Sequence, residues 1–283
     1  MRKRYTVPTR GRVMELGDRT WIMAVLNVTP DSFYPGSRAR DVGDAASRAA
    51  SMIQQGADIL DIGGESTRPG AAPVPESEEM DRVLPVIEAV RKSSNIFLSV
   101  DTCKASVACE ALRAGADLVN DITGFHDPGM PGTVADSDAA AVVMHIRGTP
   151  ENMQQIPPSE DILGDTLYQL RESVEKGSRA GLARDKIIID PGIGFGKTVE
   201  DNLNLLRRLD FFQPLDRPLL VGPSRKSFIG KILEQDVEDR LWGTAAAVTC
   251  GILSGAHIIR VHDVTEMKAV ARMADALAEM EHD

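Results

Sequence analysis

No stretch of this sequence approaches the roughly 18 consecutive apolar residues that a membrane-crossing helix needs, so none reads as a transmembrane span. The basic start, MRKRYTVPTRGR, leads into no apolar core of about 7 to 15 residues, and no secretory signal is expected. Cysteine is scarce. Cys103, Cys109 and Cys250 make an odd count without metal-ligand clustering, which suits free thiols in a reducing cytoplasm. Positive charge is also short: the formal net charge of −10 argues against binding nucleic acid or anionic membrane through a basic surface. A small anionic substrate stays possible, because a cleft can gather a few cations. Neither a Ser/His/Asp triad nor a set of Asp, Glu and His at metal-ligand spacing is evident.

A nucleotide cradle is missing too, although residues 190 to 198, DPGIGFGKT, end like one. A P-loop needs a glycine five positions before the one that precedes its lysine, so that backbone N–H groups can wrap the phosphates. Here that position is Pro191, which has no N–H. Gly192, Gly194 and Gly196 are spaced by two, which also fails the dinucleotide pattern. What is left is a strand ending in the carboxylate of Asp190, followed by a glycine loop.

What the chain does have is repetition. A short apolar run followed by a helix-period segment recurs about every 30 to 40 residues. The runs lie at 21–27, 57–63, 96–101, 116–121, 140–145, 186–190, 218–222 and 257–262. Helical spacing of apolar residues follows at Val42 to Ile53, Ala105 to Leu112, Leu163 to Val174 and Val264 to Leu277. A helix over 77–92 carries Pro85, which removes a donor and is expected to kink it. Eight apolar strands, each followed by a helix, imply a parallel sheet closed into a (β/α)8 TIM barrel, ahead of an open doubly wound sheet. No linker interrupts the 283 residues, so a single domain over 1–283 is expected. Residues 5–20 are predicted to form a β-hairpin turning at Gly17-Asp18 and plugging the barrel's N-terminal end, so that residues 1–19 are an extension preceding the barrel.

Nearly every predicted strand ends in a polar residue: Asn27, Asp61, Asp101, Asn120 with Asp121, His145, Asp190 and His262. Strand seven ends in Gly222 and leads to Ser224, Arg225 and Lys226. In a barrel these ends converge on the face where active sites sit. Helix capping is the competing explanation for any one of them, but capping does not account for seven together with Arg260. Arg68, Lys226, Arg260 and His262 then form a cationic group suited to a phosphate or diphosphate. Arg68 and Arg225, taken alone, could equally be surface charges. Asp101 and Asp190 end apolar runs and need donors; a flat heterocycle with adjacent N–H groups would satisfy such carboxylates, with Asn120 completing the edge. Asn27 is a neutral oxygen ligand, so any metal here is expected to be Mg²⁺ held largely by substrate phosphates. Two long loops, 27–38 with Phe33 and Tyr34, and 63–77, follow strands one and two and read as lids.

The blocks MAVLNVTPDSF, DILDIGGESTRPGA, SVDTCKASVACEAL, ADLVNDITGF, VVMHIRGTPENMQ, IIIDPGIGFGKT, LLVGPSRKSFIG, DRLWGTAAAV and GAHIIRVHDV run in order from about residue 20 to 266. Together they closely resemble the bacterial dihydropteroate synthase family. That resemblance implies a folate-pathway transferase, which joins 6-hydroxymethyl-7,8-dihydropterin diphosphate to 4-aminobenzoate and which sulfonamides inhibit by mimicking the second substrate. Matched by motif, Asp101, Asn120, Ile122, Met144, Asp190 and Lys226 would hold the pterin. Asn27, Thr67, Arg68, Arg260 and His262 would hold the diphosphate, Asn27 through Mg²⁺. Phe33, Pro69, Phe195 and Ser227 would line the aminobenzoate slot, and Asp101, Lys226 and Asp31 would act on the reaction itself. The family usually forms a homodimer packed through its last helices. One departure is visible: after NVTPDSF this chain has YPGSR where many members have a Ser-Asp-Gly-Gly-like stretch. A methyltetrahydrofolate methyltransferase domain uses a similar Asp/Asn set but would not need the STRPG and SRKSF loops, and a non-catalytic pterin-binding paralogue is the other alternative.

Overall fold

The computed structural model describes residues 2–28, 38–68 and 70–279. Asp31, Phe33 and Pro69, three of the residues expected at the site, lie outside them, as does most of the first long loop.

The chain opens with an antiparallel hairpin, β1 (Tyr5–Thr9) and β2 (Arg12–Leu16). It turns earlier than the sequence suggested. Thr9 pairs with Arg12, so the turn is Arg10-Gly11, with φ of 46° and 74°. Two positive φ values in a two-residue loop match the right-handed twist of the flanking strands. Gly17 has φ of 121° for another reason: a Cβ there would stand 2.7 Å from the Lys3 carbonyl oxygen. The hairpin does plug the barrel. Val7, Met14 and Leu16 are buried in one cluster with Met23, Ile59, Leu118, Ile188, Leu220 and Ile258, from the lower barrel strands.

The barrel follows in strict alternation: β3 (Trp21–Asn27), α1 (Arg38–Gln54), β4 (Ile59–Gly63), α2 (Glu76–Ser93), β5 (Phe97–Asp101), α3 (Ala105–Ala114), β6 (Leu118–Asp121), α4 (Met130–Asp136), β7 (Ala140–Met144) and α5 (Ile162–Arg179). It continues with β8 (Ile187–Asp190), α6 (Val199–Arg207), β9 (Leu220–Val221), an extra short helix α7 (Ser227–Leu233), α8 (Leu241–Leu253), β10 (Ile258–Val261) and α9 (Val264–Glu279). The eight strands pair in parallel in the order β8-β7-β6-β5-β4-β3-β10-β9, and a parallel bridge between Ile189 and Leu219 brings the ends together into the expected TIM barrel. β9 is shorter than the apolar run that announced it. Helix α2 runs continuously through Pro85, which lies on its exposed face.

Parity along the strands connects the fold to the site. Ile22, Ala24, Leu26, Leu60, Ile62, Leu98, Val100, Val119, Ile189 and Ile259 pack outward against the helices. The intervening residues point into the barrel and change character along its axis. Met23, Ile59, Leu118, Ala140, Ile188 and Ile258 are apolar and meet the hairpin. Two positions further along their strands stand Asp61, Asn120, Asp190 and Arg260, and four positions beyond Phe97 stands Asp101. Strands that read as apolar throughout are therefore apolar for two different reasons, and the inner row turns polar toward the C-terminal face where it enters the site.

Candidate active site

Nine of the expected residues line one pocket at the C-terminal face: Thr67, Asp101, Asn120, Ile122, Met144, Asp190, Phe195, Lys226 and Arg260. Ile193 and Gly222 complete it. A larger cavity of about 990 Å³ lies elsewhere, around Arg2, Tyr5, Arg217 and His257, and contains none of the polar strand ends. Chemistry of the lining, rather than volume, identifies the site.

Its floor is an ion-paired network. Arg260 donates from Nε to Asp61 Oδ2 at 2.6 Å and from Nη2 to Asp101 Oδ2 at 2.6 Å. Asn120 Nδ2 donates to the same Asp61 oxygen at 3.0 Å. Asp61 is fully buried, and its Oδ1 has no hydrogen-bond partner among the described residues. Burial presses against the charge on Arg260, but Asp61 and Asp101 outweigh it and its pKa is raised. Three of the five guanidinium N–H groups remain for a ligand. Burial raises the pKa of Asp101; Arg260 opposes that shift and Asp61 adds to it.

Asp190 accepts from the Gly192 N–H at 2.7 Å through one oxygen. Burial pushes its carboxyl up to about 6 against that bond and the pull of Lys226. Lys226 precedes α7 and holds its ammonium 3.9 Å from the centre of the Phe195 ring. Burial, and next Arg260, lower its pKa to about 8. Beside these charges lies an apolar patch of Ile122, Met144, Ile146, Met153 and Phe195. Carboxylates and an amide face an ammonium across an apolar slot, an arrangement that recognises a flat heterocycle bearing both donors and acceptors.

The remaining expected residues stand around the rim. Asn27 ends β3 opposite Gly63, where a Cβ would lie 3.7 Å from Asn27 Oδ1 and 3.4 Å from Asp101 Cβ, so the missing side chain keeps the two close. Thr67 is half-buried, and Arg68 and Ser227 are exposed. His262 is partly open to solvent, its Nδ1 2.9 Å from Ser224 Oγ. Burial of the rest of the ring, with Arg260 and Lys226 nearby, lowers its pKa to about 4. The loop carrying Thr67 and Arg68 is pinned from below: Lys104 Nζ lies 2.5 Å from both Glu65 Oε2 and Glu79 Oε2 and 2.7 Å from the Val74 carbonyl oxygen.

Two sequence readings change, and two open alternatives are decided. Asp121 and His145, expected to join the shared polar site, have the outward parity. Asp121 accepts from the Thr123 N–H at 2.8 Å and the Phe125 N–H at 2.9 Å, shaping a turn, while His145 Nδ1 meets Thr166 Oγ1 at 2.9 Å on α5. Asp61, noted among the strand ends but given no role, instead holds the floor together, beside Val25 and Ser99 on the inner row; a charge inside the apolar run ILDIG was the only local signal. Asp101 does not cap α3, because Ala105 N–H donates to Asp127 instead. Arg225, which alone could have been a surface charge, is tied to Asp263 through Nε at 2.9 Å and Nη2 at 2.5 Å.

Comparison with known proteins agrees with this geometry. Residues 23–262 match the family described as pterin binding enzyme. The chain is 46% identical to a dihydropteroate synthase of Synechocystis sp. over 273 residues, 96% of this chain and 94% of that one. Among solved structures it superposes on Yersinia pestis dihydropteroate synthase in a sulfonamide drug complex with a TM-score of 0.91 and 41% identity, over 97% of this chain and 99% of that one. It superposes on Burkholderia cenocepacia dihydropteroate synthase complexed with 7,8-dihydropteroate with a TM-score of 0.87 and 39% identity, over 98% and 97%. With relatives matched over more than nine-tenths of both chains, the chain belongs to the pterin binding enzyme family, among its dihydropteroate synthases.

Proposed function

We propose that this protein condenses 6-hydroxymethyl-7,8-dihydropterin diphosphate with 4-aminobenzoate to give 7,8-dihydropteroate and diphosphate. One observation carries the reading: Asp101, Asn120, Asp190, Lys226 and Arg260, from five different strands or their loops, meet in a single pocket. Asp190 and Asn120 offer acceptors and a donor to the pterin edge, Lys226 donates from the other side, and Ile122 and Met144 pack the ring. Arg260, with Arg68 and His262 toward the rim, faces the diphosphate, and Phe195 with Ser227 borders the aminobenzoate slot.

Departure of diphosphate from a CH₂ group on an electron-rich pterin leaves a delocalised cation, so the path is dissociative and SN1-like. The Asp101 carboxylate, once ionised, stabilises that cation, and the Arg260 guanidinium balances charge building on the leaving group. An aromatic amine is already a neutral nucleophile, so no strong base is required. Holding it against the carbon contributes up to about 7 to 11 kcal/mol in favourable cases.

Magnesium belongs to the same proposal. Among the described residues no three His, Cys, Asp or Glu side chains converge as ligands. Asn27 supplies a single neutral oxygen next to Asp101, which fits an ion carried in by the substrate's phosphates rather than a resident one. Bound there, Mg²⁺ would neutralise charge on the departing diphosphate. A cytoplasmic setting and a homodimer complete the reading. No helix among the described residues is long and apolar enough to cross a membrane, and exposed Leu233, Trp242, Leu253 and Met273 on α7, α8 and α9 support the dimer.

The test is diphosphate release by the purified protein, expected only when Mg²⁺, the pterin diphosphate and 4-aminobenzoate are all present. Lys226→Ala is expected to reduce it about 100-fold or more, the scale for losing one charged donor aimed at reacting groups. Pterin binding without Mg²⁺-dependent condensation would point to a non-catalytic protein instead.

A further inference from the structure

The Gly196-Lys197-Thr198 ending of the glycine loop has no part in the chemistry above. Thr198 is accounted for by the fold: it caps α6, accepting from the Asp201 N–H at 3.1 Å while Asp201 accepts from the Thr198 N–H at 2.9 Å. Lys197 is not. Its ammonium turns back into the loop and donates to three backbone carbonyls, Gly192 at 2.8 Å, Phe195 at 3.1 Å and His145 at 3.2 Å. Among the described residues it forms no salt bridge. An ammonium has three N–H donors and a neutral amine two, so only the charged form serves all three oxygens.

The backbone is shaped around that group. Gly192, Gly194 and Gly196 have φ of 69°, 87° and 67°, the left-handed region that lets successive carbonyls turn inward. A Cβ on Gly192 would overlap the His145 carbonyl oxygen, and one on Gly194 would come within 2.9 Å of Lys226 Cδ. The three bonds join separate parts of the site. Gly192 carries the N–H that holds Asp190, His145 follows the pterin-packing Met144, and Phe195 forms one wall of the pocket. Asp190, Asp201, Arg147 and Lys226 are the charges around the amine.

We propose that Lys197 is a positioning residue for the second substrate: its ammonium clamps the loop carbonyls so that Phe195 stands fixed beside the aminobenzoate slot. This rests on the reaction assigned above. The pterin contacts of Asp101 and Asn120 come from strand ends that the clamp does not touch, and Asp190 meets it only through the Gly192 N–H, so the two substrates are affected unequally.

The experiment combines steady-state kinetics with calorimetric pterin binding for wild type, Lys197→Met, Phe195→Ala and the double variant. Lys197→Met is expected to raise KM for 4-aminobenzoate about tenfold or more while the pterin Kd changes less than about threefold. In the Phe195→Ala background the added effect of Lys197→Met on that KM is expected to disappear, because both act through one ring. Lys197→Gln, which keeps two donors, is expected to fall between wild type and Lys197→Met, and it replaces Lys197→Met if that variant does not fold. Unchanged KM, equal losses for both substrates, fully additive effects, or failure of both Lys197 variants to fold would each overturn the clamp. A wild-type protein that does not condense the substrates removes the assigned reaction itself; one that turns over while Lys197→Met matches it removes only the clamp.

Discussion

Arg260 on β10 and Asp61 on β4, 199 positions apart in the chain, meet inside the barrel through a bond of 2.6 Å from Nε to Oδ2. The same carboxylate oxygen holds Asn120, and the same guanidinium holds Asp101. One fully buried carboxylate thus fixes both the Asn120 amide and the Arg260 guanidinium, the two groups proposed to meet the pterin and the diphosphate.

Removing Asp61 leaves a largely buried guanidinium with one partner instead of two and Asn120 without its acceptor. Breaking a buried ion pair from one side typically costs about 3 to 5 kcal/mol. Because Asp101 remains, Asp61→Ala is expected near the low end, about 3 kcal/mol in urea unfolding, together with weaker pterin binding by calorimetry. A variant as stable as wild type would mean that the pair contributes nothing net.

Activity should depend on pH through several buried groups, of which Asp190 and Lys226 set the outer limits. Pterin recognition needs Asp190 ionised, with its pKa at about 6, and Lys226 charged, with its pKa at about 8. A plot of kcat/KM against pH is therefore expected to rise through about 6 and fall through about 8. Stability gives an independent check on the acid limb. Burial raises the folded-state pKa of Asp190 above its ordinary value of 3.8, so its favourable contribution is present below that value and lost as pH climbs through about 6. Asp190→Asn, which has no proton to lose, should gain stability relative to wild type between those two pH values; a constant difference would contradict the assignment.

Two glycines with positive φ separate strain from steric overlap. Gly181 has φ of 90° and nothing within 4 Å of a would-be Cβ, so Gly181→Ala should cost about 1 to 2 kcal/mol, the left-handed penalty alone. Gly192, with φ of 69°, would in addition press its Cβ into the His145 carbonyl oxygen. Gly192→Ala is expected to cost clearly more and to weaken pterin binding as Asp190 loses its N–H partner. Equal urea midpoints for the two variants would refute the steric argument.

Trp242 on α8 is 77% exposed and Met273 on α9 is 60% exposed, on helices packed against one another. If these helices meet a second copy, wild type should sediment at about twice its 30.6 kDa chain mass and Trp242→Glu at about the chain mass. A monomeric wild type at micromolar concentration would remove the dimer.

Much of this architecture was legible because eight short apolar runs alternate with helix-period segments, and because Asp101, Asn120, Asp190 and Arg260 stand in or at the end of apolar runs where nothing but function or a partner tolerates a polar or charged group. The apolar runs concealed parity. Asp121 and His145 sit next to inward residues and look equivalent to them, yet a single step along a strand reverses the side chain's direction. The hairpin turn was misplaced because Gly17-Asp18 has turn chemistry, whereas Arg10-Gly11 is chosen by pairing between Thr9 and Arg12, a long-range fact of register. The role of Asp61 needed β3, β4 and β5 aligned side by side, which local pattern does not provide.

With the β1–β2 hairpin stoppering its lower mouth, the barrel is a cul-de-sac. Traffic passes through one door, so whatever sits deepest must arrive first and depart last. On the proposed assignment, a heterocycle lodged against Asn120 and Asp190 cannot be exchanged while an aryl amine stands between it and the exit, and an order of events follows from the plumbing alone.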